Sequence, residues 1–291
     1  MDGTPPDVIA AAVAAMLRGD REALDRLRTD DYLERRPQSG ELIRGRPRMR
    51  ELEAADPAGP ARIANVRRVA GLDELWTIEA RAVYPDGTDW FTVTILELRG
   101  DRIAQSTAYA CEPLEAPAWR AQHVVSIDPD RPPVALRRAA ELSNADVARI
   151  NERYGRAMAG RDWDELGRLR SSDWSGEWPQ SGEGVPSHAA DTAIHRAYPG
   201  YPEVQMPHHS AAAEGWVMSP LYTPVRVHGA GPLIVAEGAN LYGAGDRWFT
   251  VLLLETGDGR IRRETGYFAR PTEPEAWRSQ WVERFDPLAP R

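Results

Sequence analysis

The chain repeats itself. Pro37-Gln38-Ser39-Gly40-Glu41 returns as Pro179-Gln180-Ser181-Gly182-Glu183, Trp90-Phe91-Thr92-Val93 as Trp248-Phe249-Thr250-Val251, and Ala118-Trp119-Arg120 as Ala276-Trp277-Arg278. The last two blocks recur after 158 positions, as does Ile103 at Ile261, whereas the first block recurs after 142. The second copy therefore carries 16 extra residues between its Pro-Gln-Ser-Gly-Glu and Trp-Phe blocks, near 206–224. A repeat this long is a duplicated domain and not a solenoid unit, whose period is about 20–50 residues. The expected organisation is a first domain over 1–127, a stiff Pro-rich linker over 128–142 and a second domain over 143–291. Duplication lets one copy keep chemistry while the other keeps scaffold.

The 291 residues suffice for two domains that each bury a core. A net charge of −8 argues against general affinity for nucleic acid, which needs clustered positive charge. The chain has no lysine, which rules out a Schiff-base or P-loop lysine. Cys111 is the single cysteine, so neither an intrachain disulfide nor a cysteine zinc site is expected, and a reducing cytoplasm fits. The apolar run at 8–17 is too short to span a membrane and lacks a basic leader, so no membrane role is expected.

Periodicity gives each copy the same order. Val8, Ile9, Val13, Met16 and Leu17 recur at helical spacing behind Asp7 as an N-cap, and Gly19-Asp20 punctuates a second helix that Asp30-Asp31 closes. The repeated Pro-Gln-Ser-Gly-Glu reads as a turn between short strands, a third helix follows near 47–54, and strands are expected at 64–69, 75–84, 90–98 and 104–110. In the second copy Ser143 opens a helix whose Val147, Ile150, Tyr154, Ala157 and Met158 share a face, and Asp162 starts the next. The expected fold class is α+β, with three helices on a mixed or antiparallel sheet in each copy.

This order, with Gly-Asp between the first helices and Pro-Gln-Ser-Gly-Glu in the hairpin, resembles the nuclear-transport-factor-2-like superfamily. The Tyr198-Pro199-Gly200-Tyr201-Pro202 stretch is similar to that of its SnoaL-like group. The resemblance covers nearly the whole chain twice and implies two tandem cone-shaped domains with curved sheets, forming an internal pseudo-dimer, each with a pocket between sheet and helices. It also implies the activities hosted there: polyketide cyclases, ketosteroid isomerases and limonene-type epoxide hydrolases. Tyr154, eight residues before Asp162, matches the oxyanion-hole tyrosine of the isomerases, and the first copy has Ala12 there. The isomerase base aspartate has no counterpart: Arg36 and Trp178 stand in its place. Proton removal alpha to a carbonyl in the usual isomerase way is not expected.

Three residues of the second copy are the catalytic candidates. Tyr154 suits donation to a carbonyl or epoxide oxygen, or is a core tyrosine bonded to the backbone. Glu237, among apolar neighbours, suits a general acid or base, or pairs with Arg226 as Glu79 does with Arg68. Glu183 reaches substrate from the pocket rim, or ends a locked turn. Trp178, Trp216, Tyr222, Arg226, Trp248, Tyr267 and His209 are the expected substrate contacts, while Trp119, Trp277 and Trp281 pin C-terminal arms. Adjacent His208 and His209 do not readily face one metal, so no metal and no cofactor is expected. The first pocket is expected to be degenerate. The expected function is metal-free acid–base cyclisation, dehydration or epoxide opening of a hydrophobic, oxygenated, polyketide-like small molecule. A non-catalytic binding or assembly protein of the same fold is the rival, and pairing of two chains into a homodimer is left open.

Overall fold

The computed structural model describes residues 6–133, 143–198, 210–212, 215–217, 223–230, 233–242 and 246–288. The first copy runs α1 (Asp7–Arg18), α2 (Arg21–Leu27), β1 (Arg28–Arg36), β2 (Glu41–Arg44), α3 (Arg46–Ala55), β3 (Arg62–Leu72), β4 (Leu75–Val83), β5 (Asp89–Arg99) and β6 (Arg102–Cys111). An arm follows, with a 3-10 turn at Ala118–His123 and the short β7 (Val125–Ser126). The second copy runs α4 (Asn144–Gly160), α5 (Trp163–Leu169), β8 (Arg170–Trp178), β9 (Glu183–Val185), α6 (His188–Arg196), β10 (Ser210–Ala212), β11 (Gly215–Val217), β12 (Thr223–Ala230), β13 (Leu233–Tyr242), β14 (Asp246–Gly257) and β15 (Arg260–Ala269). Its arm carries a 3-10 turn at Ala276–Arg278 and β16 (Glu283–Arg284). Among the described residues no helix is long and apolar enough to cross a membrane.

Local chemistry accounts for the breaks. Gly19 takes a left-handed φ of 65° to end α1, and Asp20 accepts from Ala23 N at 2.9 Å to start α2. Arg161 (φ 55°) and Asp162 repeat the device, with Glu165 N donating at 2.8 Å. Two local readings are corrected. Pro6, not Asp7, is the N-cap of α1, with Asp7 in the first turn where its charge favours the helix dipole. Asp30 and Asp31 lie inside β1 and do not close α2, because β1 begins directly at Arg28.

Each copy builds one sheet of the same order, β2-β1-β6-β5-β4-β3 and β9-β8-β15-β14-β13-β12. The β1–β6 and β8–β15 pairs are parallel and the remaining pairs antiparallel. The α+β layout is thus the one the resemblance implies. In the first copy α1 packs Val8, Ile9 and Ala12 against Ile78, Ala80 and Leu96; in the second α4 packs Val147, Ile150 and Tyr154 against Ile234, Ala236, Leu252 and Leu254.

The arms cross over. The compact units are the described parts of Met1–Pro113, Asp130–Leu136 and Pro271–Pro287, and of Leu114–Pro129, Arg137–Arg270 and Leu288–Arg291. The arm that follows each sheet therefore belongs to the unit built on the other copy. β16 pairs antiparallel with β2, and β7 with β9, each covering an otherwise open strand edge. The units thus trade the arms that follow the two sheets.

Candidate active site

The repeated motif has a structural job. Gln38 bonds both backbone groups of Ala110, and Gln180 both of Phe268, at 2.6–3.0 Å, closing the ends of β6 and β15. Arg278 of one arm grips Glu41 through both nitrogens at 2.8 Å, and Ser39 Oγ donates to the same carboxylate at 2.5 Å. In the other unit Arg120 Nε and a terminal nitrogen donate to Glu183 at 2.9 and 2.5 Å, and Ser181 Oγ donates at 2.5 Å. Pro-Gln-Ser-Gly-Glu and Ala-Trp-Arg are the two halves of one latch, made twice. Of the two sequence readings of Glu183, the geometry matches the locked turn: 4 % exposed and bidentately paired, it is not free to reach substrate.

Strand alternation separates the other two candidates. Directly paired residues share a face of the sheet, so the inner face reads across in rows: Ile234, Leu254 and Glu264; then Ala236, Leu252 and Gly266; then Gly238, Thr250 and Phe268. The apolar members of the first two rows share one core cluster with Tyr154. Glu237 stands in register with Val251 and Tyr267 on the opposite face. Tyr154, Glu183 and Glu237 do not converge. Glu237 pairs in register with Arg226 as Glu79 does with Arg68, and Glu79 is buried and bonded by both Arg67 (2.8 Å) and Arg68. On that face of the first copy Thr77 and Glu79 are both fully buried. Tyr267 likewise points away from the Tyr154 side; Phe268, one residue on, points toward it.

Tyr154 meets a carboxylate that the sequence reading missed. Its hydroxyl donates to Glu264 Oε1 at 2.8 Å, and Arg170 donates to Glu264 Oε2 at 3.2 Å. Arg170, 1 % exposed, also donates to Asp191 at 2.6 Å and to His188 Nδ1 at 3.0 Å, and its guanidinium lies 3.8 Å from the Trp174 ring centroid. Because arginine only donates, His188 Nδ1 is the acceptor and carries no proton. His195 lies 3.5 Å from Asp191 and stacks on Trp163 at 4.9 Å.

Burial raises the Glu264 carboxyl above its usual range, and Arg170 and Tyr154 compensate only partly. Burial, reinforced by Glu264, raises the Tyr154 phenol well above its ordinary value. Burial also acts to raise Asp191, but Arg170 and His195 outweigh it and hold that acid ionised well below the usual carboxylate range. Burial and Arg170 lower the His188 imidazole. The site thus holds one carboxylate fixed as an anion and a second that binds a proton more readily. Pairs pushed apart in this way fit an acid–base role.

The first copy lacks this arrangement. Ala12, Met49 and Ser106 stand where the second copy has Tyr154, Asp191 and Glu264. There Tyr32 Oη lies 2.6 Å from Ser106 Oγ and donates to Glu34 at 3.0 Å. Burial acts to raise Glu34, but Arg36 and Arg28 overcome it and leave that carboxyl lowered.

An aromatic cavity of about 360 Å³ lies at the Phe268 end of the same face. Trp178, Trp248, Phe268 and Tyr198 line it, and the exchanged arm supplies Pro117, Trp119 and Arg120. Trp178 lies on Gly266, where an added Cβ would stand 3.2 Å from its ring, so that glycine admits the indole onto the sheet. Arg120 covers the Trp178 ring at 4.5 Å and Arg270 the Trp248 ring at 4.4 Å. Trp178 and Trp248 line this one cavity, and Trp119 of the arm forms a further wall. Trp216 and Arg226 fall on β11 and β12. Tyr222, His209 and His208 lie outside the described residues.

No family model and no curated protein matches the sequence. Solved structures do. An NTF-2-like protein of unknown function from Burkholderia xenovorans LB400 is 27 % identical, with 48 % of this chain and 96 % of that one covered and a TM-score of 0.40. A candidate ketosteroid isomerase from Kribbella flavida DSM 17836 is 23 % identical over 48 % of this chain and 90 % of its own, with a TM-score of 0.37. A candidate polyketide cyclase from Sinorhizobium meliloti is 17 % identical over 36 % and 94 %, with a TM-score of 0.31. Each match covers about half of this chain or less and most of the other.

Proposed function

We propose that the unit built on the second copy is an acid–base enzyme acting on a hydrophobic, oxygen-bearing small molecule, by cyclisation, dehydration or epoxide opening. The observation that carries this reading is the Tyr154–Glu264 bond, with the carboxyl raised by burial, on the sheet face that also bears the Trp178–Trp248 cavity. Glu264 and Gly266, on which Trp178 rests, are successive residues of one face, about 7 Å apart. A substrate seated against the indoles can therefore extend toward the carboxyl.

In the proposed step the Tyr154 hydroxyl turns from Glu264 to a substrate carbonyl or epoxide oxygen. Glu264 takes a proton from the substrate's attacking C–H or O–H, and the electron pair left behind forms the new bond to the polarised carbon. The carbon–oxygen pair that opens is stabilised by Tyr154 and then takes the proton back from Glu264. Asp191 keeps Arg170 in place through its ion pair, and Arg170 steadies Glu264 while it is ionised. Removing one oxyanion donor typically costs 10²–10³ in rate.

A second reading, a non-catalytic binder, is favoured by one feature: both Glu264 oxygens already have partners. Turnover of a panel of aryl epoxides and hydroxyketones, followed by mass spectrometry, separates the two. The enzyme reading expects product from the intact chain and its loss in Glu264→Gln. Binding of panel members without any product formation would leave only the binder.

A further inference from the structure

We infer that the molecule taken by this cavity is an acid: an elongated apolar compound with a carboxylate or phenolate at the end remote from Glu264, where Arg270 receives it. This rests on the cavity reading given above and narrows its substrate class. Arg270 follows β15 directly and lines the cavity with an exposed side chain. Its guanidinium is held over the Trp248 ring, 4.4 Å from the centroid. The ring attracts the charge, and the planar fork of an arginine held in this way still suits a carboxylate.

The lining decides the sign of the charge. Aromatic walls alone would suit a cation. Here two of the rings already hold one: Arg120 lies over Trp178 at 4.5 Å, and Arg270 over Trp248. A ligand laid against these indoles meets two guanidiniums at its edge, so a further cation is repelled and an anion is drawn in. Arg120 is gripped at two nitrogens by Glu183, so the anion is assigned to Arg270. Glu115, exposed on the arm, is the other charge of the lining and opposes the anion, which keeps the expected gain modest.

Distance puts the anion at the outer end. Arg270 is six residues from Glu264, about 20 Å of extended backbone, with Gly266 and the Phe268 wall between them. The apolar body therefore lies along the indoles and its other end points toward Glu264. The first copy reverses the charge: Glu112 holds the place of Arg270, and Arg36 and Ala110 hold those of Trp178 and Phe268.

Calorimetry on the full chain near neutral pH, with three planar probes of one shape, tests the inference: 2-naphthoate, 2-naphthamide and 2-naphthamidinium. The intact chain is expected to bind naphthoate most tightly and the amidinium most weakly, with added salt eroding the advantage of naphthoate. Arg270→Gln should weaken naphthoate about three- to tenfold, the scale of a charged bond at a partly exposed site, and leave naphthamide unchanged. Arg270→Glu, which carries the charge found in the first copy, should reverse the order of naphthoate and the amidinium. Glu115→Gln should tighten naphthoate. Equal loss of all three probes in Arg270→Gln, no loss of naphthoate, or an amidinium that binds the intact chain most tightly overturns the anion assignment alone. Failure of all three to bind, or binding unaffected by Trp178→Ala, overturns the cavity reading and this inference with it.

Discussion

Removing Arg120 tests the arm latch. Arg120→Ala deletes two charge-assisted bonds and leaves the Glu183 carboxylate, 4 % exposed, with the Ser181 hydroxyl as its side-chain partner among the described residues. Breaking a buried ion pair from one side costs about 3–5 kcal/mol, because the remaining charge stays desolvated. Arg120 keeps 19 % of its side-chain surface in water, so the lower end, about 3 kcal/mol, is expected. Urea unfolding reads the loss. Hydrogen exchange locates it: the Ile127 amide, held by Gly182 O at 2.9 Å, should lose protection as the arm lets go. The Arg120→Ala, Glu183→Gln double variant removes the stranded charge and should recover part of the loss. A cost below about 0.5 kcal/mol, in the range of an exposed pair, would refute the reasoning. So would a double variant worse than the sum of the singles.

Other outcomes follow from the same geometry. Gly40→Ala should destabilise the first unit by about 1–3 kcal/mol in urea, because Gly40 has a φ of 63° and the new Cβ would lie 2.8 Å from Phe285 O. Gly167→Ala should also destabilise, since its Cβ would stand 2.9 Å from His188 Nε2, and His188 should lose its contact with Arg170 as judged by its imidazole resonances. Asp191 has a lowered folded pKa, so its stabilisation is present above about pH 3.8 and fades as pH falls further. Asp191→Asn should therefore flatten the acid limb of the stability curve; an unchanged limb contradicts the ion pair. Tyr154→Phe should lower turnover of any true substrate about 10²-fold or more, with ring binding retained.

The fold was legible because it is written in punctuation that occurs twice. Gly19-Asp20 and Arg161-Asp162 break helices, and the hairpin motif repeats with its glycine. The arm exchange was not, since nothing local says which sheet edge Ala118-Trp119-Arg120 will meet. Within the site, Tyr154 was legible from its spacing to Asp162 and the resemblance this carries, and a comparison of the copies at Glu264 against Ser106 and at Asp191 against Met49 would have found the acids near it. Glu237 misled because its apolar neighbours Val235 and Ala239 do share its face, but that face is turned away from Tyr154, and one step along a strand reverses the face. The same step separates Tyr267 from Phe268.

The most direct test of the acid–base account is a ¹³C titration of the Glu264 carboxyl, assigned by its absence in Glu264→Gln. A raised folded pKa means that the group favours folding below its ordinary value of 4.5, and that this contribution is lost as pH rises through the folded value. The account predicts a midpoint above 4.5 that rises further in Tyr154→Phe, where the phenol no longer donates to the anion. A midpoint at or below 4.5, or one indifferent to Tyr154, would contradict it.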